Sequence, residues 1–210
     1  MTNQNNEFSK LKDYSVPPNS TLYLIILLYE VPEELDDVIF DLYWGYPVTQ
    51  TWGRDFLDAS VFLYSGLEYV DLIDFRHSVS YRCPGAIRHS GYADRDEEKR
   101  LFNQTISVSI KSLPAKIDNL IFTLSAWNSP NISEYRKPSV KFFDANYPDK
   151  QLCTDEMSRA ADSQAIIMCS LSRKNGQWHA VSLKSPASGN AKNYKPLKTE
   201  IVNLIENGYT

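Results

Sequence analysis

The side chains able to do chemistry in this 210-residue chain are few, and their spacing points away from most enzyme classes. His77, His89 and His179 are its only histidines. His77 and His89 flank Cys83, but that spacing matches neither a zinc knuckle nor a His-Glu-x-x-His helix. No Gly-x-Ser-x-Gly elbow is present, so nothing marks an activated serine. Carboxylates are the remaining candidates. Asp55 and Asp58 lie at the start of an apolar run, and Asp94, Asp96, Glu97 and Glu98 crowd a segment read as a loop or helical turn. Paired carboxylates can hydrolyse a glycosidic bond, and several together can wrap a hard cation such as calcium through oxygen ligands. Arg95, Lys99 and Arg100 are interleaved with that cluster and can neutralise it without a metal. Tyr43, Trp44, Tyr46 and Trp52 offer a stacking surface for sugar rings if they face solvent.

The elements that would position these residues read as strands. Apolar and β-branched runs occur at Leu22–Leu28, Val38–Trp44, Leu57–Tyr64, Val70–Phe75, Ile106–Ile110, Leu120–Ala126, Val140–Phe143, Ala165–Leu171 and Trp178–Leu183. Ile106, Val108 and Ile110 share one face against Ser107, Ser109 and Lys111. Leu57, Ala59, Val61 and Leu63 likewise oppose Asp58 and Ser60. A period of two is the signature of a half-buried strand. Asn175-Gly176 between two such runs predicts a tight hairpin, since both residues tolerate positive φ. No glycine-rich phosphate loop or βαβ spacing occurs, which argues against a doubly wound sheet. The expected fold is all-β: a two-sheet antiparallel β-sandwich with a short C-terminal helix. That helix opens at Pro196, places Leu197, Ile201, Leu204 and Ile205 at helical spacing and stops at Gly208, and it is expected to cover an open end of the sandwich. Residues 1–18 read as a polar N-terminal tail, 19–190 as the sandwich and 191–210 as the helical segment packed on it.

Composition bounds the partners. Apolar residues make up 42% and aromatics 12% of the 24.0 kDa chain, enough to build a core. Lysine plus arginine number 22 against 26 acids, a formal charge of −4 that gives no general attraction to nucleic acid or anionic membrane. Glu30, Glu33, Glu34, Asp36, Asp37 and Asp41 crowd one stretch, while Arg173, Lys174, Lys184, Lys192, Lys195 and Lys198 collect near the end. Three widely spaced cysteines, Cys83, Cys153 and Cys169, do not form an even disulfide framework, so reduced thiols and a cytoplasmic location are expected. The longest apolar run, Leu22–Tyr29, is too short to span a bilayer, and no signal-peptide cleavage site follows it. Membrane insertion is not expected.

The string Gly53-Arg54-Asp55-Phe56-Leu57-Asp58-Ala59-Ser60-Val61-Phe62-Leu63 resembles the Asp-Phe-Asp-Leu-Asp-Ala-Ser-Ala-Phe-Leu signature of the TerD family of tellurium-resistance and stress proteins. Val38–Trp44, His89-Ser90-Gly91, Ile106–Pro114, Leu120–Trp127 and Asn175-Gly176-Gln177-Trp178 resemble further family segments in the family's order, over roughly residues 19–190. The resemblance implies a β-sandwich, calcium bound through acidic loops, and a non-catalytic binding or scaffolding role in stress response or signalling through a partner protein. Some members are described as binding cyclic AMP, so a small ligand is a further implication, although no Arg clamp with a glycine cradle is visible here.

The chain departs from the family where calcium ligands are expected. Gly-Trp-Asp becomes Tyr43-Trp44-Gly45, the paired Asn become Arg76-His77, and Asp55 is displaced by one position, which turns a strand side chain to the other face. The oxygen ligands left for a metal are Asp58, Asp94, Asp96, Glu97 and Glu98, against the roughly six to eight that calcium takes. Weak or absent calcium binding is therefore the expectation. A carbohydrate-binding or glycoside-hydrolysing sandwich is the alternative reading.

Overall fold

Alternation along the strands decides the architecture. In this computed structural model, residues 16–19, 24–46, 56–129, 131–149, 151–156 and 162–210 are described. Asp55 and Trp52 lie outside them, as do residues 1–15. In chain order the elements are β1 (Ile26–Glu30), β2 (Asp37–Gly45), β3 (Leu57–Ser65), β4 (Glu68–Ile73), β5 (Ile87–His89), β6 (Asp94–Asp96), β7 (Leu101–Ser109), β8 (Asn119–Ala126), β9 (Ser139–Asp144), β10 (Gln151–Glu156), β11 (Ala165–Lys174), β12 (Gln177–Ala187) and α1 (Lys195–Glu206). One sheet has the order β1-β12-β11-β8-β3-β4 and the other β10-β9-β2-β7-β5, with β6 also paired to β7. All these pairings are antiparallel.

The two sheets bury their facing rows against each other. Val38, Phe40, Leu42 and Trp44 of β2 meet Leu57, Ala59, Val61 and Leu63 of β3 and Leu120, Phe122 and Leu124 of β8 in one cluster. Phe40 sits at its centre, its ring 3.8 Å from that of Phe122 across the sandwich and 4.8 Å from Phe142 beside it. The β11–β12 hairpin turns through Asn175 and Gly176 at φ 52° and 85°, as the Asn-Gly signal predicts, and delivers Trp178 to the core rim.

Three features differ from the sequence expectation. Helix α1 covers the outer face of the first sheet rather than an open end. The reason lies in the second row of β3, β8 and β11: Phe62, Tyr64, Ile121, Ala165 and Ile167 point away from the sandwich core and pack with Leu197 and Ile201. These central strands are buried on both faces, so they need a cover. The segment at 94–98 begins as strand β6, followed by a turn at 97–100 that leads into β7. Short strands β5, β6 and β10 carry too few apolar residues to signal themselves.

The sheets are also joined by side chains. Strand β4 pairs only with the stretch of β3 from Val61 onward, leaving the backbone of Ala59 open on that side. The Gln104 side chain of β7 closes the gap, accepting from Ala59 N at 2.6 Å and donating to the Gly91 carbonyl at 2.9 Å. The buried His89 completes it. Gly91 N donates to His89 Nδ1 at 2.9 Å, so the ring proton sits on Nε2, which donates to the Ala59 carbonyl at 3.1 Å. Burial lowers the pKa of His89 from 6.5, outweighing the bond to Ala59 and the charge of Asp74, both of which raise it.

Two expectations follow. Trp178→Ala should cost about 3–5 kcal/mol in urea denaturation, the range for a large buried aromatic. A loss below about 1 kcal/mol would place this side chain at the surface. For His89, the unfolded chain takes up a proton below pH 6.5 that the folded ring resists, so stability is full above that pH and declines as pH falls. Melting followed from pH 7.5 to 5 should show this decline in the native protein and a flatter profile in His89→Gln. An equal decline in both would assign the pH response to other groups.

Candidate functional site

A buried carboxylate at the end of β4 organises the polar side of the molecule. Asp74 is fully shielded from solvent and lies in a turn closed by reciprocal backbone bonds with His77. Its Oδ1 accepts from Arg76 N at 2.9 Å, His77 N at 2.8 Å and His77 Nδ1 at 3.2 Å. Its Oδ2 accepts from the Arg76 guanidinium at 3.3 Å and the Tyr194 hydroxyl at 3.0 Å. Since the Tyr194 proton goes to Asp74, Ser60 Oγ donates to the phenol oxygen at 2.9 Å. Arg76 also donates to the carbonyl of Ala191. Burial alone would raise the pKa of Asp74, but the donors at His77, Tyr194 and Arg76 and the Arg76 charge outweigh it and hold the group below 3.8. Burial pushes the Tyr194 phenol far above its ordinary value.

This cluster lies beside Asp58. On the outward row of β3 and β8, Asp58 pairs across the strands with Ser125 and Ser60 with Thr123, all four buried. Asn190 donates to the carbonyls of Ala126 and Trp127 at 3.0 and 3.1 Å, fixing the chain that leads into α1 over this row. Tyr194 is the residue that precedes the helix, so one hydroxyl connects Ser60 on β3, the β4 turn and α1.

The other acids proposed from sequence occupy a different setting, the β6–β7 hairpin of the second sheet. Asp94, Glu97 and Glu98 are exposed. Asp96 Oδ1 accepts from Lys99 N at 2.9 Å, and its Oδ2 lies 3.1 Å from the Lys99 ammonium. Glu97 lies 3.6 Å from Arg95. Among the described residues, no group of three or more His, Cys, Asp or Glu side chains is gathered as a metal-binding set.

Two residues of the aromatic platform, Trp44 and Tyr46, are not at the surface. Trp44 is 0% exposed and Tyr46 6%, because Trp44 continues the inward row of β2 and Tyr46 packs on Phe102 at 4.8 Å. Tyr43 is half-buried beneath the Lys141 ammonium, 4.7 Å from its ring centre. Two of the four rings, Trp44 and Tyr46, are therefore withdrawn from a stacking surface, and Trp52 lies outside the described residues.

Asp74, Tyr194 and Gln104 were missed in the sequence. The available signals were slight: an aspartate inside the apolar run Val70–Phe75, and a glutamine two residues before Ile106 on the inward row of β7. Only the fold brings Tyr194 to Asp74.

A two-layer antiparallel sandwich with one helix on its outer face defines the class, and the TerD domain model matches residues 26–193. The chain belongs to the TerD family. It is 26% identical over 161 residues to the tellurium resistance protein TerZ of Serratia marcescens, covering 73% of this chain and 77% of that protein. Among solved structures it resembles a homologue of the telluride resistance protein TerD from Streptomyces coelicolor, with TM-score 0.62 and 18% identity over 77% of this chain and 96% of that one. A protein of unknown function matches with TM-score 0.55 and 13% identity, over 73% and 93% of the two chains. These likenesses carry the fold.

Asp74→Asn should cost about 3–5 kcal/mol, because it leaves the Arg76 guanidinium and two backbone donors facing an uncharged amide. Tyr194→Phe should cost about 1–2 kcal/mol by removing one donor to a charged acceptor. Chemical denaturation of both variants checks the order, and a Tyr194→Phe loss as large as that of Asp74→Asn would show that the carboxylate is not the centre of the cluster.

Proposed function

We propose that this chain is a non-catalytic TerD-type binding or scaffolding domain that serves a stress or tellurium-resistance response through a partner protein in the cytoplasm, with a calcium site reduced to little or no affinity. The observation that carries the reading is internal neutralisation of the acids. Where the resembled motif carries paired Asn, Arg76 and His77 donate to Asp74. Lys99 holds Asp96, and Arg95 faces Glu97. A cation already placed on a carboxylate removes the electrostatic need for a second one and opposes its approach. Gly45 stands where the motif has its aspartate, and a Cβ there would meet the Cβ of Arg136 at 2.8 Å. A carboxylate side chain has no room at that position without a shift of the 136 segment.

Two observations support the partner and the compartment. Leu24, Ile25, Ile26 and Leu27 are 84%, 44%, 45% and 51% exposed along the edge of the first sheet, an apolar run of the kind that protein partners cover. Cys83, Cys153 and Cys169 are free thiols, the state a reducing compartment maintains. No helix among the described residues is long and apolar enough to cross a membrane.

The test is a melt with and without calcium. A ligand at a hundredfold excess over its dissociation constant stabilises the native state by about 2.7 kcal/mol. Millimolar calcium is expected to leave the thermal midpoint of the native protein unchanged relative to magnesium or EDTA. A rise of several degrees that Asp58→Asn erases would restore a metal-binding role. Hydrolase, phosphatase and glycosidase screens are expected at background, and turnover lost on changing Asp58 or Glu97 would overturn the non-enzyme reading.

A further inference from the structure

At the end of β2 the chain builds a concavity of about 250 Å³ that the sequence did not announce. It is lined by Gly45, Tyr46, Lys99, Arg100, Leu101, Arg136 and Lys137. Four of these residues are cations and none is an acid. They come from two dipeptides far apart in the chain, joined by the backbone of Gly45 and Tyr46. Gly45 N donates to the Arg136 carbonyl at 2.6 Å, and Tyr46 N donates to the Arg100 carbonyl at 3.2 Å. The missing side chain at Gly45 is what lets the 136 segment approach.

We infer that this concavity is a binding site for a small phosphate-bearing anion, such as pyrophosphate or a phosphorylated metabolite. Charge supports it first. Lys99 is engaged by Asp96, but Arg100, Arg136 and Lys137 form no ion pair with a carboxylate among the described residues. Three cations that line one concavity all attract an anion placed within it. Two guanidiniums match the bidentate geometry of phosphate oxygens, and a doubly charged group suits the lining better than a single carboxylate.

Backbone conformation supports it independently. Among the described residues, five positions other than glycine have positive φ. Asn19 and Asn175 are of the type that tolerates this region; the others are Arg100 at 56°, Lys137 at 44° and Lys184 at 46°. Two of those three line the concavity. Cationic side chains at positions where glycine would be less strained are a departure that a binding role for those side chains accounts for.

Size and surroundings set the ligand class. A cavity of about 250 Å³ holds a phosphate with a small organic group and falls below the usual range for larger ligands. The hairpin that supplies Lys99 and Arg100 also carries Asp94, Asp96, Glu97 and Glu98, and the chain as a whole is at −4. A long polyanion crossing this surface would meet those acids, so nucleic acid and anionic membrane are disfavoured.

The experiment is calorimetric titration of the full chain, in phosphate-free buffer at fixed ionic strength, with pyrophosphate and separately with ribose 5-phosphate. Four proteins are compared: native, Arg100→Gly/Lys137→Gly, Arg136→Gln, and the charge-matched control Lys111→Gln/Lys174→Gln. The double glycine variant removes two cations while relieving the left-handed strain, so its thermal midpoint should equal or exceed the native value. Arg136→Gln removes one guanidinium at a position of ordinary φ. The native protein and the control should bind at least one probe with 1:1 stoichiometry. Both pocket variants should bind at least about tenfold more weakly, the loss of charge-assisted hydrogen bonds. Binding of pyrophosphate alone would identify an inorganic source, and binding of ribose 5-phosphate a phosphorylated metabolite. The proposal is overturned if the native protein binds neither probe at millimolar concentration, or if the control weakens as much as the pocket variants.

Discussion

The carboxylate of Asp74 is the constraint from which much of the structure follows. It lies at the end of the edge strand β4, shielded from solvent, where an ionised group is costly unless donors surround it. Those donors come from the β4 turn and from Tyr194, at the threshold of α1. Satisfying one buried charge therefore fixes two parts of the chain that are distant in sequence. The position of α1 then decides which residues are interior. Phe62, Tyr64, Ile121, Ala165 and Ile167 would otherwise present an apolar sheet face to water, and the helix buries them beneath Leu197 and Ile201. The Schellman-type end of the helix, with Gly208 N bonded to the Ile205 carbonyl and Tyr209 N to that of Leu204, completes the cover.

Charge is managed by the same means elsewhere. This acidic chain places cations onto its crowded acids: Arg76 on Asp74, Lys99 on Asp96, Arg95 near Glu97. The exposed pairs contribute little to stability, because solvent screens them. Their consequence is local. They occupy carboxylate oxygens, while Arg100, Arg136 and Lys137, which pair with no acid among the described residues, line the concavity at the end of β2. The absence of a side chain at Gly45 and the close approach of Arg136 are a single geometric event.

Much of the fold was legible because period-two alternation is a local property. The rows of β2, β3, β7 and β8 follow directly from residues two apart, and Asn175-Gly176 specified its hairpin because few other residues reach positive φ at so little cost. The strands that were missed, β5, β6 and β10, are short or polar and owe their conformation to a neighbour. Strand β6 exists because β7 offers it a ladder. The helix was legible from its own spacing, but its place was not. The signal for that lay in the second row of β3, where Phe62 and Tyr64 follow Ser60 and change the outward face from polar to apolar.

The sequence by itself determined the strand rows, the class of the fold, the family and the interleaving of cations with the 94–98 acids, since each rests on residues close together in the chain. Tertiary structure alone decided which polar groups meet. Tyr194 reaches Asp74, and Gln104 and His89 reach the open backbone of Ala59, across sequence separations over which no periodicity carries information. Two basic dipeptides became one concavity because the backbone of Gly45 and Tyr46 binds a carbonyl from each. Local patterns record which face a side chain takes, and only the packing of sheets and loops sets what stands opposite it.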